Sequence, residues 1–169
     1  LQARHVLRES GLDGVVKTSG SKGLHIYISV RDESVEDVAA ATRALAARVE
    51  RLDPRLATTA FLREERGGRV LVDASRAGGA TVVAAYSPRA RPGLPVSFPV
   101  AWADLDRVAP ADFTIRTVPA ILGGRDPWAE AMPRPQRLPA DLVAEGHGLP
   151  IARVVAMHAG KRRRREAGA

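Results

Sequence analysis

A chain of 169 residues that is 45% hydrophobic is long enough to bury one ordinary core. It has no cysteine, which excludes disulfides, thiolate metal sites and cysteine nucleophiles, and no apolar run approaches the roughly 20 residues that span a bilayer. The net charge of +7 is uneven, because residues 133–169 hold eight Lys/Arg against three Asp/Glu.

Residues 1–10 read as the last turns of a helix that Gly11 ends. Val15-Val16-Lys17-Thr18 is a short strand, and the Gly/Ser run of residues 19–23 follows it. Leu24, Ile26, Ile28 and Val30 then alternate with His25, Tyr27 and Ser29, the period of a half-buried strand. Its apolar face is expected to pack inward, with His25 and Tyr27 looking out. Ser34 opens a helix with Glu36 and Asp37 in its first turn, and Val35, Val38, Thr42, Leu45, Val49 and Leu52 keep helical spacing until Asp53-Pro54. Residues 69–86 read as a β-hairpin turning at Gly78-Gly79. Short helices are predicted over 102–108 and 118–122, an extended stretch over 113–116, and Trp128 as a packing anchor. Prolines 133, 135 and 139 mark a boundary, so residues 1–132 form one domain and 133–169 a linker and basic tail, with a weak helix over 151–158. The fold class is α+β, a mixed and largely antiparallel sheet with flanking helices.

The chemistry concentrates in Lys17-Thr18-Ser19-Gly20-Ser21-Lys22-Gly23-Leu24-His25. Only three lysines occur in the chain, against 23 arginines, and two of them flank this loop. A compact, mobile ammonium suits a place beside phosphate oxygens better than a planar fork does. Glycines let backbone N–H groups approach an anion, and the serine hydroxyls add donors. The same composition also serves an ordinary turn between strands, and the residues alone leave both readings open. His25 is either a phosphate donor, an acid or base, or a half-buried strand histidine. Arg89 and Arg91, between Pro88 and Pro92, suit a phosphate clamp or a solvated basic loop. Asp73 sits where the pattern predicts a β-ladder, either as a divalent-ion ligand or as an edge acid paired with an arginine. The block Lys161-Arg162-Arg163-Arg164-Arg165 favours polyanions through counterion release, or is a solvated end.

Residues 17–28 resemble the nucleotide-binding motif of the polymerase domain of bacterial DNA ligase D, in the archaeo-eukaryotic primase superfamily. The resemblance continues through Gly68-Arg69-Val70-Leu71-Val72-Asp73, through residues 84–93, through residues 113–119 and into Asp126-Pro127-Trp128. It covers roughly residues 1–132. It implies that Ser19, Lys22, Gly23 and His25 hold the triphosphate of an incoming NTP or dNTP, with Arg89 as a second phosphate contact. Asp73 would be the third metal-binding, catalytic carboxylate, and Arg66 would lie near the template. The family extends DNA ends and fills gaps in non-homologous end joining, with Ku protein, Mn²⁺ or Mg²⁺, and a ligase domain in the same or another chain. A cytoplasmic, nucleoid-associated protein follows, with no membrane partner.

The departures set a further expectation. The family's Asp-x-Asp metal pair lies upstream of the Ser-Gly-Ser-Lys-Gly loop, where this chain has only Glu9 and Asp13. Asp104-Leu105-Asp106 has the spacing but not the place. After Asp73 the chain reads Ala74-Ser75-Arg76-Ala77 where the family has a Trp-Ser-Gln-Asn-like stretch, and Ala85 replaces the usual Pro before Tyr86. The opening Leu-Gln-Ala-Arg, without Met, leads us to expect a fragment truncated at its N-terminus and inactive by itself. The alternative is a non-catalytic nucleotide- or DNA-binding module of the same fold.

Overall fold

The computed structural model describes residues 2–78, 81–152 and 157. In chain order the elements are α1 (Gln2–Glu9), β1 (Val15–Thr18), β2 (Leu24–Tyr27), α2 (Val35–Leu52), β3 (Ala57–Thr58), β4 (Val70–Leu71), β5 (Pro99–Val100), α3 (Val118–Leu122), α4 (Pro127–Ala131) and α5 (Ala140–His147). The fold is α+β, with an antiparallel sheet in the order β2-β1-β5 and a parallel pair β3-β4. The chain divides into two compact units, one built from residues 12–31 and 81–136, the other from residues 2–11, 32–78 and those from 137 on. Among the described residues no helix is long and apolar enough to cross a membrane.

In the first unit β1 is the central strand and is buried along its whole length. Lys17 stands opposite His25 on β2 and Pro99 on β5. A stacked pair, Phe98 and Phe113 with ring centroids 4.7 Å apart, forms the core with Val96 and Val118. The strand β2 inverts the expected orientation. Leu24 and Ile26 are 49% and 40% exposed, while His25 and Tyr27 are half-buried. The register explains this, because His25 and Tyr27 share a face with Lys17 and Val15, and that face is the covered one. Trp128, the expected anchor, packs edge-on against Tyr27 at 5.0 Å.

Two further expectations give way. Residues 69–86 are not a hairpin: β4 pairs in parallel with β3, in the second unit, and residues 81–85 form no strand. The Asp73 side chain accepts from the Ser75 amide and hydroxyl, which starts a 3₁₀ turn over Ser75–Gly78 where a reversal was expected. Gly79, half of the expected turn, lies outside the described residues. Residues 102–108 make only successive tight turns, with Asp104 bonded back to Ala101 and Arg107 to Asp104. Trp102 instead donates its indole N–H to the Gly14 carbonyl at 2.7 Å.

In the second unit α2 begins where expected, with the Ser34 hydroxyl accepting from the Asp37 amide, and ends at Asp53. Its buried face is built mainly from alanines (40, 41, 44 and 46) with Leu45 and Val49, whereas Val35 and Leu52 are exposed. Small side chains permit a close approach by α5, so the segment expected to be a linker holds a packed helix instead. Glu145 accepts from Arg48 and Arg51, and Leu142 is fully buried. Arg137, upstream of α5, pairs with Asp32 at 3.0 Å, while in the first unit the Gln136 side chain exchanges hydrogen bonds with the Asp13 backbone. The expected helix over 151–158 falls largely outside the described residues, as does the 161–165 block.

At Gly146 α5 lies close on α2, since a Cβ placed there would lie 1.8 Å from the Ala40 carbonyl oxygen. Gly146→Ala is therefore expected to push α5 from α2 and to destabilise the protein by about 1–3 kcal/mol, the usual cost of overpacking. A thermal or urea unfolding curve reads this directly, and an unchanged midpoint would contradict the packing.

Candidate functional site

The loop between β1 and β2 is closed on itself. The Ser19 amide donates to the Gly23 carbonyl at 2.9 Å, and the Gly23 amide donates to the Ser19 hydroxyl at 3.2 Å. Gly20 takes φ +62°, and a Cβ there would meet Arg89 Cγ at 2.7 Å. Only glycine serves both the backbone angle and the approach of that arginine. Arg89 in turn donates to the Ser19 carbonyl at 3.1 Å, while its own amide is held by the Pro95 carbonyl at 2.8 Å. Ser19, Gly23 and Arg89 are therefore joined in one hydrogen-bonded arrangement. Lys22 projects from the same loop and is exposed. A cavity of about 290 Å³ opens beside it, lined by Gly20, Ser21, Lys22, Arg91, Pro95 and Thr114 among others. Its charged lining residues, Lys22 and Arg91, are both cationic.

Lys17 departs from expectation. The sequence suggests an ammonium facing phosphate, yet the side chain is fully buried. Its Nζ donates to the Val83 carbonyl at 2.8 Å and to the Ser97 hydroxyl at 2.5 Å, lies 3.1 Å from His25 Nδ1, and sits 5.5 Å from the centre of the Tyr27 ring. Burial, aided by the nearby charge of Arg89, lowers its pKa to about 8. Ser97 passes its own proton to the Thr18 carbonyl at 2.6 Å. Neither Ser97 nor Val83 was legible as a site residue. Its one trace in the sequence is a lone hydroxyl between Val96 and Phe98 in an apolar run.

Two other sequence-predicted residues belong to the second unit. Asp73 lies just past β4, outside the ladder in which it was expected, and it pairs with Arg76 at 3.3 Å. Burial pushes its carboxyl upward, but the Ser75 donors and Arg76 outweigh that and hold it below the ordinary value. The arginine partner of the second expected reading is present, though Asp73 is not on a strand. Arg66 donates to the Ala60 and Phe61 carbonyls at 3.1 and 2.7 Å and so braces its own loop. Among the described residues no three His, Asp or Glu side chains gather as metal ligands. Both Asp73 oxygens accept locally, one from Ser75 and the other from Arg76.

The first unit is thus an α+β arrangement whose first strand turn is a Gly/Ser/Lys loop latched by an arginine. The family model for the LigD primase-polymerase domain matches residues 1–128, and the chain belongs to that family. The multifunctional non-homologous end joining protein LigD of Pseudomonas aeruginosa is 38% identical over 141 residues, covering 80% of this chain and 17% of that protein. The multifunctional non-homologous end joining DNA repair protein LigD of Mycobacterium tuberculosis H37Rv is 41% identical over 106 residues, covering 61% of this chain and 14% of that protein. The chain thus spans less than a fifth of either curated relative. The solved polymerase domain of Mycobacterium tuberculosis ligase D, in complex with DNA, aligns with a TM-score of 0.69 at 33% identity, covering 77% of this chain and 46% of that one.

The lowered pKa of Lys17 has a consequence for stability. An unfolded lysine keeps its proton to about pH 10.5, whereas the folded one gives it up near 8. Between those values the unfolded state binds more protons, so stability rises with pH across that window. Relative to Lys17→Met, the wild-type protein is expected to gain about 2–3 kcal/mol between pH 8 and pH 10. Tyr86, pushed up to about 12 by burial and its bond to Asp126, opposes this only above pH 10. Urea unfolding of both proteins at the two pH values checks the sign, and a constant difference would contradict it.

Proposed function

We propose that this chain is the nucleotide-holding portion of a template-directed polymerase that extends DNA ends and fills gaps in non-homologous end joining. The reaction would be nucleotidyl transfer from an NTP or dNTP. The observation that carries this reading is the Ser19–Gly23 loop latched by Arg89, in a chain of the LigD primase-polymerase family. A triphosphate presents only acceptors, and this loop supplies amides, hydroxyls and cations. In this reading Ser19, Gly23, His25 and Arg89 orient the phosphates, while exposed Lys22 follows them as a mobile charge. Asp73 would be the acid this chain contributes to a larger metal cluster, and Arg66 would lie near the template. Ku and a ligase domain are the partners that go with end joining, and Mn²⁺ or Mg²⁺ is the proposed ion of the whole polymerase.

A second reading is a nucleotide- or DNA-binding module without catalysis. It is favoured by the lack, among the described residues, of a three-ligand acidic cluster. Phosphoryl transfer of this kind relies on ions that steady both attacking and leaving oxygens, which one carboxylate cannot hold.

Titration with a labelled nucleoside triphosphate tests the cradle common to both readings. Lys22→Ala is expected to weaken binding by roughly 1.5–3 kcal/mol, and Lys22→Arg to restore only part of it. Equal affinity in all three proteins would remove the cradle.

Primer extension in Mn²⁺ or Mg²⁺ separates the readings. The 169-residue chain is expected not to extend a primed end, while a longer polymerase domain carrying an Asp-x-Asp pair extends it and loses that activity with Asp73→Ala. Extension by the 169-residue chain would show that its catalytic acids lie elsewhere, and failure of the longer domain would favour the non-catalytic module.

A further inference from the structure

The loop that joins β1 to β2 spends its closing bonds at its two ends. Ser19 and Gly23 satisfy each other, and among the described residues the amides of Gly20, Ser21 and Lys22 between them have no acceptor within the chain. Gly20 is left-handed at φ +62°. Successive N–H groups around such a residue form the kind of concave turn that gathers an anion. A second turn, residues 91–94, lines the same cavity of about 290 Å³. In it the Leu94 amide donates to the Arg91 carbonyl at 2.9 Å, around Pro92 and a Gly93 of φ +80°. Its backbone is pinned. The Arg91 amide donates to the Arg89 carbonyl at 2.8 Å, and Leu94, bulky for a left-handed position, is kept at φ +45° while its carbonyl accepts from the Ile115 amide. Arg91 is thus placed at the cavity by a rigid turn. Its guanidinium, like the Lys22 ammonium, makes no ion pair or hydrogen bond among the described residues.

The lining selects among ligands. Besides Lys22 and Arg91 its side chains are the hydroxyls of Ser21 and Thr114, and every other lining residue is Gly, Pro or Ala. No carboxylate lines it to cancel the cations, and Asp112, next in sequence to the lining residue Ala111, turns its carboxylate back on the Ala109 amide at 2.7 Å. A base would find no aromatic ring to stack on, and a ribose no carboxylate to donate to. The volume lies below the roughly 300–1,000 Å³ that encloses a whole small molecule, which suits a phosphate group better than a nucleoside. Ser19, Gly23, His25 and Arg89 are not part of the lining, so the cavity adjoins the latch without sharing it. We propose that this cavity is a phosphate pocket, separate from the Ser19–Gly23–Arg89 latch, in which Arg91 is a binding residue and Lys22 supplies a second charge. The planar fork of Arg91 matches two oxygens of one phosphate, and the ammonium of Lys22 acts as a point charge. Two sources carry that chemistry: the outer phosphates of a nucleoside triphosphate, and a backbone phosphate of a DNA strand. The first source rests on the nucleotide-binding reading, whereas the pocket does not.

Isothermal titration of the full chain with inorganic pyrophosphate reads the pocket without base or sugar. Arg91→Gln is expected to weaken that binding about tenfold or more, the loss of a charge-assisted contact, and Arg91→Lys to recover part of it. Arg31→Gln removes the same charge from an exposed arginine outside the lining and is expected to change nothing. Undiminished binding in Arg91→Gln, or an equal loss in Arg31→Gln, overturns the pocket. Amide NMR of the wild-type chain tests it without any variant. Pyrophosphate is expected to shift Gly20, Ser21 and Gly93, and shifts that miss all three overturn it. The sources are then separated with a nucleoside triphosphate, its monophosphate and a DNA oligonucleotide without terminal phosphates. A loss in Arg91→Gln for the triphosphate but not the monophosphate assigns the pocket to the outer phosphates, and a loss confined to the oligonucleotide assigns it to the strand. Pyrophosphate bound through Arg91 by a chain that binds no triphosphate leaves the pocket standing and removes the nucleotide-binding reading. Triphosphate, pyrophosphate and oligonucleotide all bound equally by wild type and Arg91→Gln remove the pocket and leave that reading intact.

Discussion

A charged lysine taken wholly out of water is the constraint around which the first unit is arranged. An ammonium in that position is tolerable only if every hydrogen finds an acceptor. Lys17 finds them on three separate stretches: its strand neighbour His25, the Val83 carbonyl, and Ser97. Those stretches are distant in sequence, so satisfying one charge draws β1, β2 and residues 81–98 together. The inverted burial of β2 follows, because the face that carries His25 and Tyr27 must be the covered one. The apolar side chains Leu24 and Ile26 then face outward.

The second unit is held by a different logic, which is closeness of backbones. Alanines along α2 and a glycine in α5 remove the side-chain bulk that usually separates helices, and Arg48 and Arg51 close the seam on Glu145. Arg48 also reaches the Ser10 hydroxyl at the end of α1, so one guanidinium ties three helical segments. Such an arginine contributes through geometry more than through charge, since exposed pairs are worth little and forked ones hold direction.

Between the units the chemistry is divided by type. Hydroxyls, amides and cations gather on the β1–β2 loop and its arginine latch, all in the first unit. The acid Asp73 belongs to the second unit, and both of its oxygens are occupied by Ser75 and Arg76.

Local features were legible in the sequence alone: the Ser34 cap and Asp53 end of α2, the strands around the Gly/Ser loop, the short α3, Trp128 as an anchor, and the family from its ordered motifs. Each depends on neighbours in sequence, whose spacing encodes a turn, a cap or a strand period. Burial of β2 differs from expectation because alternation names two faces without saying which is covered, and the face carrying His25 and Tyr27 reads as the polar one. The hairpin expected at 69–86 failed because β4 found a partner earlier in the chain, at Ala57–Thr58, and the supposed linker failed because α5 has a packing surface only once α2 presents its alanines. The sequence determined which residues could act as caps, turns and donors, since those are short-range properties of backbone and side chain. Only the tertiary structure decided which face is buried, what Lys17 donates to and which strand β4 pairs with. Those depend on acceptors and surfaces brought from far along the chain, and no local pattern encodes them.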